Sequence, residues 1–254
     1  MKIAHINTTR GRSGTEGVVF TIHNMLVERG DTSIVTYGRG PVLINNDENH
    51  RIGTDVDVLG HLVQTRILDN HGFASRHATI KFLIWLESNN PDVVHLHNIH
   101  GYYINCELLF EYLKVRRINV VWTLHDCWPI TGHCTNFEYI NCEKWKYDCG
   151  RCGQLAAYPK TLFVDRTKKN LLRKRRVFSG VERLSIVTPS KWLSEIIHRS
   201  YLDQYPVSVI NNALDLEVFR NKNGNFKARH CIEKKFMILG VAYVWGGGKV
   251  SIIS

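Results

Sequence analysis

The chain has no apolar stretch approaching the roughly 18 residues that a membrane-spanning helix needs. It also has no apolar leader: residues 2–6, KIAHI, follow the first methionine directly and read as a strand, so a cytoplasmic protein is expected. No internal repeat or low-complexity tract is present, which excludes solenoids and arrays. Acidic residues are short, 23 against 33 Lys and Arg, giving a formal net charge of +10 over 254 residues. That balance favours anionic partners, whether phosphates, nucleotides, nucleic acid or an acidic membrane surface, without choosing among them. The seven cysteines are an odd number in a chain without a leader, which argues against a disulfide framework. The G-x-G-x-x-G dinucleotide fingerprint is missing too. What remains, 44% hydrophobic and 22% charged residues, is the composition of an ordinary globular protein.

The informative stretches are residues 91–101, PDVVHLHNIHG, and 120–128, VVWTLHDCW. Each is a short apolar run that ends in His and a polar turn, the signature of a buried parallel strand. Ligands of open α/β sheets bind outside the carboxyl ends of such strands. His97, His100, His125 and Asp126 are therefore expected to look into one crevice.

The rest of the pattern alternates in the same way. Strands are expected at 2–6, 34–37, 93–96, 119–124, 184–187 and 207–210. Helices are expected at about 18–29, 78–87, 106–115, 166–176 and 192–199. Such alternation predicts a doubly wound parallel sheet. Residues 7–17 read as a loop whose Gly11, Gly14 and Gly17 would let an anion approach backbone N–H groups at a helix start; a plain flexible turn is the alternative. Residues 38–57, polar and rich in glycine and asparagine, read as a mobile loop. A further apolar run from Phe236, FMILGVAYVW, reads as the first strand of a second α/β unit, and with only nine residues after it that unit is expected to be truncated.

Several segments together resemble one family: GTEG at 14–17 ahead of an amphipathic helix, PDVVHLH at 91–97, TLHDC at 123–127, TPSKW at 188–192 and VINNALDLEVF at 209–219. The chain resembles the bacterial family 4 glycosyltransferases of the GT-B fold. The likeness is nearest to those that build O-antigen, capsule, lipopolysaccharide or colanic-acid polysaccharide. The resemblance implies a Rossmann-like, acceptor-side N-terminal domain over residues 1–215, with a Cys-rich loop insert at about 127–160. Residues 216–254 would be an interdomain segment and the first strand of a truncated donor-binding domain. It further implies a retaining enzyme that moves a hexosyl group from a nucleotide-sugar donor to a lipid-linked glycan, with no catalytic metal. This chain is expected to be inactive alone.

By the same resemblance, His125 takes the place of an acceptor-side active-site histidine. It would orient the acceptor hydroxyl or stabilise charge at an oxocarbenium-like centre; a histidine that only bonds backbone at a strand end is the alternative. Asp126 would bind an acceptor hydroxyl or fix the histidine tautomer, or else cap a turn. Gly14, Thr15, Glu16 and Gly17 are assigned to substrate binding. His95 and His97 are expected to face opposite ways on their strand, and His97, nearer the strand end, is assigned to the site. His100 and Tyr102 follow in the loop and are assigned to the acceptor pocket.

Two clusters remain. Cys134, Cys142, Cys149 and Cys152, spaced x7, x6 and x2, could close a tetrahedral structural zinc site, with Cys127 and His133 as spare ligands; reduced cysteines packed as small hydrophobes are the alternative. Lys168, Lys169, Arg173, Lys174, Arg175 and Arg176 lie on one predicted helix. They read either as a solvated face or as a peripheral contact with an anionic inner membrane, where a lipid-diphosphate acceptor would sit. A rival of another class is a non-catalytic, zinc-stapled basic protein that binds an anionic polymer. It would need basic and aromatic residues on one face. Here the aromatics lie in the Cys insert and the basic run elsewhere, so no nucleic-acid partner is expected.

Overall fold

The structure is a computed structural model and describes residues 1–10, 14–41, 48–213 and 225–237. The chain divides into two compact units, Met1–Asn212 and Ala213–Ser254. In the first, seven strands form one sheet: β1 (Lys2–Thr9), β2 (Thr32–Arg39), β3 (Asn49–Arg51), β4 (Val93–Leu96), β5 (Asn119–Thr123), β6 (Leu184–Thr188) and β7 (Val207–Val209). Their order is β3-β2-β1-β4-β5-β6-β7 and every pairing is parallel. The order reverses direction at β1 and β4, the switch point at which open α/β sheets bind ligands.

The helices are α1 (Gly14–Glu28), α2 (Asp55–Leu68), α3 (Arg76–Asn89), α4 (Cys106–Arg116), α5 (Thr167–Phe178) and α6 (Lys191–His198). Their starts have local causes. Thr54 caps α2 in a reciprocal box with Asp57, Asn105 accepts from the Leu108 N–H at 3.0 Å, and Ser190 accepts from the Leu193 N–H at 3.3 Å. In the second unit the described residues hold one short helix, α7 (Phe226–Arg229). The segment 214–219 and everything beyond Met237 of the expected second-unit strand lie outside the described residues.

Two expectations are corrected. Helix α1 begins at Gly14, so GTEG is its first turn and not the end of a loop. The low helix propensity of glycine points to a later start, but the first-turn N–H groups have no intrahelical partner in any case, and Glu16 there complements the helix dipole. The polar stretch 38–57 also holds β3 and the start of α2.

The core runs from Ile6, Val94, Leu96 and Trp122 on the sheet to Phe110 on α4 and Phe178 on α5, all essentially fully buried. The rings of Phe110, Trp122 and Phe178 stand 4.6–5.3 Å apart, tilted or edge-on. This cluster fixes α4 and α5 against β5 and so sets where the loop after β5 begins. Residues 124–166, between β5 and α5, form a long insert whose regular structure is three single-turn 3-10 pieces. It is nonetheless packed: Trp128, Ile130 and Trp145 are buried. Lys174 of α5, itself buried, donates to the Trp128 and Thr131 carbonyls at 2.7 and 2.9 Å. Phe110→Ala is expected to lower unfolding free energy by about 3–5 kcal/mol, read from urea denaturation. A loss below about 1 kcal/mol would mean that the aromatic cluster does not hold the insert's base in place.

Candidate active site

The carboxyl ends of β1, β4, β5 and β6 open onto a crevice of about 500 Å³ lined by Thr8, Thr9, Gly14, Thr15, Asn98, His100, His125, Tyr158, Pro189 and Asn212. The parallel register puts them there. β1 delivers Thr8 and Thr9, the loop after β4 delivers Asn98 and His100, and β5 runs into His125. The loop after β4 approaches β1 closely: Gly101 has φ of 111°, and a Cβ there would overlap the Thr8 side chain. Thr8 Oγ1 donates to the carbonyls of Asn98 and His100, which locks the loop.

Of the residues expected at the site, Gly14, Thr15, His100 and His125 line the crevice. Asp126 stands behind His100, with Oδ2 at 2.8 Å from His100 Nε2 and Oδ1 accepting from the Trp128 N–H at 2.9 Å. Burial alone would raise the Asp126 carboxyl, but His100, the Trp128 N–H and His125 outweigh it and hold the group below its ordinary value. An ionised Asp126 only accepts, so His100 donates from Nε2. In the neutral imidazole, Nδ1 then accepts from the Tyr158 hydroxyl at 3.3 Å. His97 lies behind His125, its Nδ1 at 3.2 Å from His125 Nε2. That contact occupies Nε2 of His125 and leaves Nδ1 for a ligand. Burial lowers His125 to about 4, so it works as a neutral imidazole, a hydrogen-bonding group and not a cation.

Three expectations change. His95 and His97 face the same way, with ring centroids 4.1 Å apart, because residues two apart on a strand share a face. Both stand beside His5 of β1, and these three are the only described set of His, Cys, Asp and Glu side chains with three ligand atoms within 4.8 Å of one another. Tyr102, at φ of 73°, is not among the crevice-lining residues and packs against His61, His71 and the lining Tyr158. Glu16 and Gly17 sit in the first turn of α1 and are not among the crevice-lining residues. Sequence reading missed Thr8, Thr9, Asn98, Tyr158, Pro189 and Asn212. Thr8, Thr9 and Asn98 directly follow strand runs and carried a signal. Tyr158, 33 residues beyond His125 in an irregular insert, carried none.

The basic helix α5 divides its residues between the fold and its surface. Arg173 and Arg176 pair with Glu107, Lys168 with Asp148, and Arg175 donates to the Lys146 and Tyr147 carbonyls at 3.1 and 3.0 Å. Lys174 is buried, while Lys168, Lys169 and Arg176 stay exposed.

A switch-point crevice lined by hydroxyl, amide and imidazole groups offers hydrogen-bond partners to a polar ligand. The chain belongs to Glycosyltransferase Family 4, whose family model matches residues 12–218. It is also similar to the Escherichia coli (strain K12) protein named as the colanic acid biosynthesis glycosyl transferase WcaC. The two are 24% identical over 229 residues, covering 85% of this chain and 55% of the relative. The chain thus spans about half the length of the curated relative it matches.

Burial also lowers His50 and His95 to about 4 and His61 to about 3. In the unfolded chain these groups and His125 take up protons below about 6.5, while the native forms stay neutral to lower pH. The unfolded state therefore binds more protons between those limits. Stability should be full above about pH 6.5 and fall steadily as pH drops toward 4. Melting temperatures measured from pH 7.5 to 4.5 check this, and a flat profile between pH 6.5 and 5 would contradict it.

Proposed function

We propose that the described crevice is the acceptor side of a retaining glycosyltransferase. The reaction moves a hexosyl group from a nucleotide sugar to a lipid-linked glycan in cell-surface polysaccharide synthesis, in the cytoplasm at the inner face of the membrane. The observation that carries this reading is the joint placement of His125, His100, Tyr158, Asn98 and Thr15 around one polar crevice at the switch point. Family membership and the name of the E. coli relative support the reaction class and the polysaccharide context.

In this reading the acceptor hydroxyl lies against His125 Nδ1. The neutral imidazole orients that hydroxyl by accepting its hydrogen bond, and the proton leaves with the departing diphosphate of the donor as the new glycosidic bond forms. His97 fixes the ring of His125 through the 3.2 Å contact, while Asp126 fixes His100, which holds the Tyr158 hydroxyl so that its oxygen accepts from a second sugar hydroxyl. The nucleotide-sugar donor is the implied co-substrate, and no catalytic metal is invoked. No described helix is long and apolar enough to cross a membrane. Contact with the lipid-linked acceptor is therefore peripheral in this proposal. Exposed Val56, Leu59, Val63 and Ile67, spaced three to four residues apart along α2, favour an apolar contact over one made by α5.

The test pairs binding with turnover. A soluble diphosphate-linked oligosaccharide should bind the chain, as measured by calorimetry, and His125→Ala and His100→Ala should each weaken it at least about tenfold while leaving folding intact. In a complete family member, replacing the histidine that matches His125 should lower kcat by roughly 10²–10⁴-fold with donor affinity unchanged. Equal glycan binding by wild type and both variants would overturn the assignment.

A further inference from the structure

The insert carries four thiols that the transfer reading does not use. Cys134, Cys142, Cys149 and Cys152 all line one cavity of about 400 Å³, and all are free. Cys106 and Cys127 are buried elsewhere in the core and do not line it. The half from Cys149 to Cys152 is a tight reversal through Gly150 at φ of 149° and Arg151 at φ of 47°. Lys144 Nζ holds it from behind, donating to the Gly150 and Arg151 carbonyls at 3.0 and 3.1 Å. Backbone N–H groups are aimed at both sulfurs: Gly132 N–H to Cys149 Sγ and Gln154 N–H to Cys152 Sγ, each at 3.4 Å. Two sulfurs three residues apart, each receiving a backbone N–H, have the spacing and donors that suit half of a tetrathiolate site, since hydrogen bonding to a sulfur favours its charged form. A further buried donor faces the same space. His133 lines the cavity with Nδ1 bound to Asp69 at 2.8 Å and Nε2 buried without a partner.

We propose that Cys134, Cys142, Cys149 and Cys152 bind one Zn²⁺ in a closed structural site. Binding releases the four thiol protons and forms four Zn–S bonds, leaving no open position for chemistry. Burial holds the thiols of Cys134, Cys149 and Cys152 above their ordinary value, a balance that a bound cation reverses. The four sulfurs stand further apart than an ion would hold them, because the only described trio within 4.8 Å is His5, His95 and His97. They must draw in around the metal. The segment that carries them has no strand and only single-turn pieces to resist this.

The site lies next to the crevice. Thr131 Oγ1 donates to the Cys134 carbonyl at 2.5 Å, Lys174 ties the Thr131 and Trp128 carbonyls together, and the Trp128 ring stands 5.3 Å from that of His100. A metal here holds the insert that delivers Tyr158 and supports His100.

The test uses the full chain purified without chelator. Elemental analysis should give one zinc per chain. Exchange for Co²⁺ should give the near-ultraviolet thiolate-to-cobalt charge-transfer bands of a sulfur-rich tetrahedral site, a readout that needs no variant. Cys149→Ser and Cys152→Ser should each lower zinc retention at least about tenfold. Cys231→Ser, outside the cluster, and His5→Gln, in the histidine trio, should retain it. A metal-free protein whose melting temperature ignores chelator would overturn the proposal. So would a cobalt spectrum without thiolate bands, or metal that survives Cys149→Ser and is lost in His5→Gln.

Discussion

His95 pairs with His5 on one side and with Val121 on the other, and this parallel register of β4 between β1 and β5 governs what the carboxyl edge of the sheet can hold. Because all neighbours run parallel, every strand ends on the same side, and the residues just past each end converge without any loop having to search for the others. Thr8 and Thr9, Asn98 and His100, and His125 come from three strands far apart in sequence and meet at one crevice. Slipping β4 by one residue would turn His97 away from His125 and put Val94 and Leu96 where His95 and His97 stand. The apolar packing of Val94, Leu96 and Trp122 against α4 opposes that slip.

The site depends on a second support, the insert after β5. It has little regular backbone structure, so its order comes from side chains. Lys174 and Arg175 reach into it from α5, and Asp69 at the end of α2 accepts from His133 Nδ1 and from the Arg166 N–H at 2.8 and 3.0 Å. Part of the basic run on α5 thus serves the fold: Lys174 is buried and Arg175 bonds insert carbonyls, where a charged group left unpaired would be costly, while Lys168, Lys169 and Arg176 stay exposed.

The sheet was legible because parallel strands buried on both faces read as short apolar runs, and β1, β2, β4, β5 and β6 are such runs. His125, His100 and Asp126 could be located because they follow those runs directly. α2 was not legible: its buried residues are His61 and Thr65, while Val56, Leu59, Val63 and Ile67 face outward, the inverse of the pattern that marks a helix packed on a core. β3, three residues long in a polar stretch, gave too little periodicity to register. Tyr158 escaped because it reaches the crevice through the tertiary path of the insert, which spacing does not encode. The thiol spacing exposed the Cys cluster, but the aim of the Gly132 and Gln154 N–H groups at Cys149 and Cys152 is visible only in three dimensions.

The proposed function requires the glycan to lie at the carboxyl edge of the sheet. Amide hydrogen exchange of the chain with and without a soluble diphosphate-linked oligosaccharide tests this most directly. Added glycan should slow exchange at 98–102, 125–128 and 157–158. It should leave unchanged the opposite edge of the sheet, where Val93, Asn119, Arg183 and Tyr205 line a second cavity. Protection confined to that opposite edge, with none near His100 or His125, would contradict it.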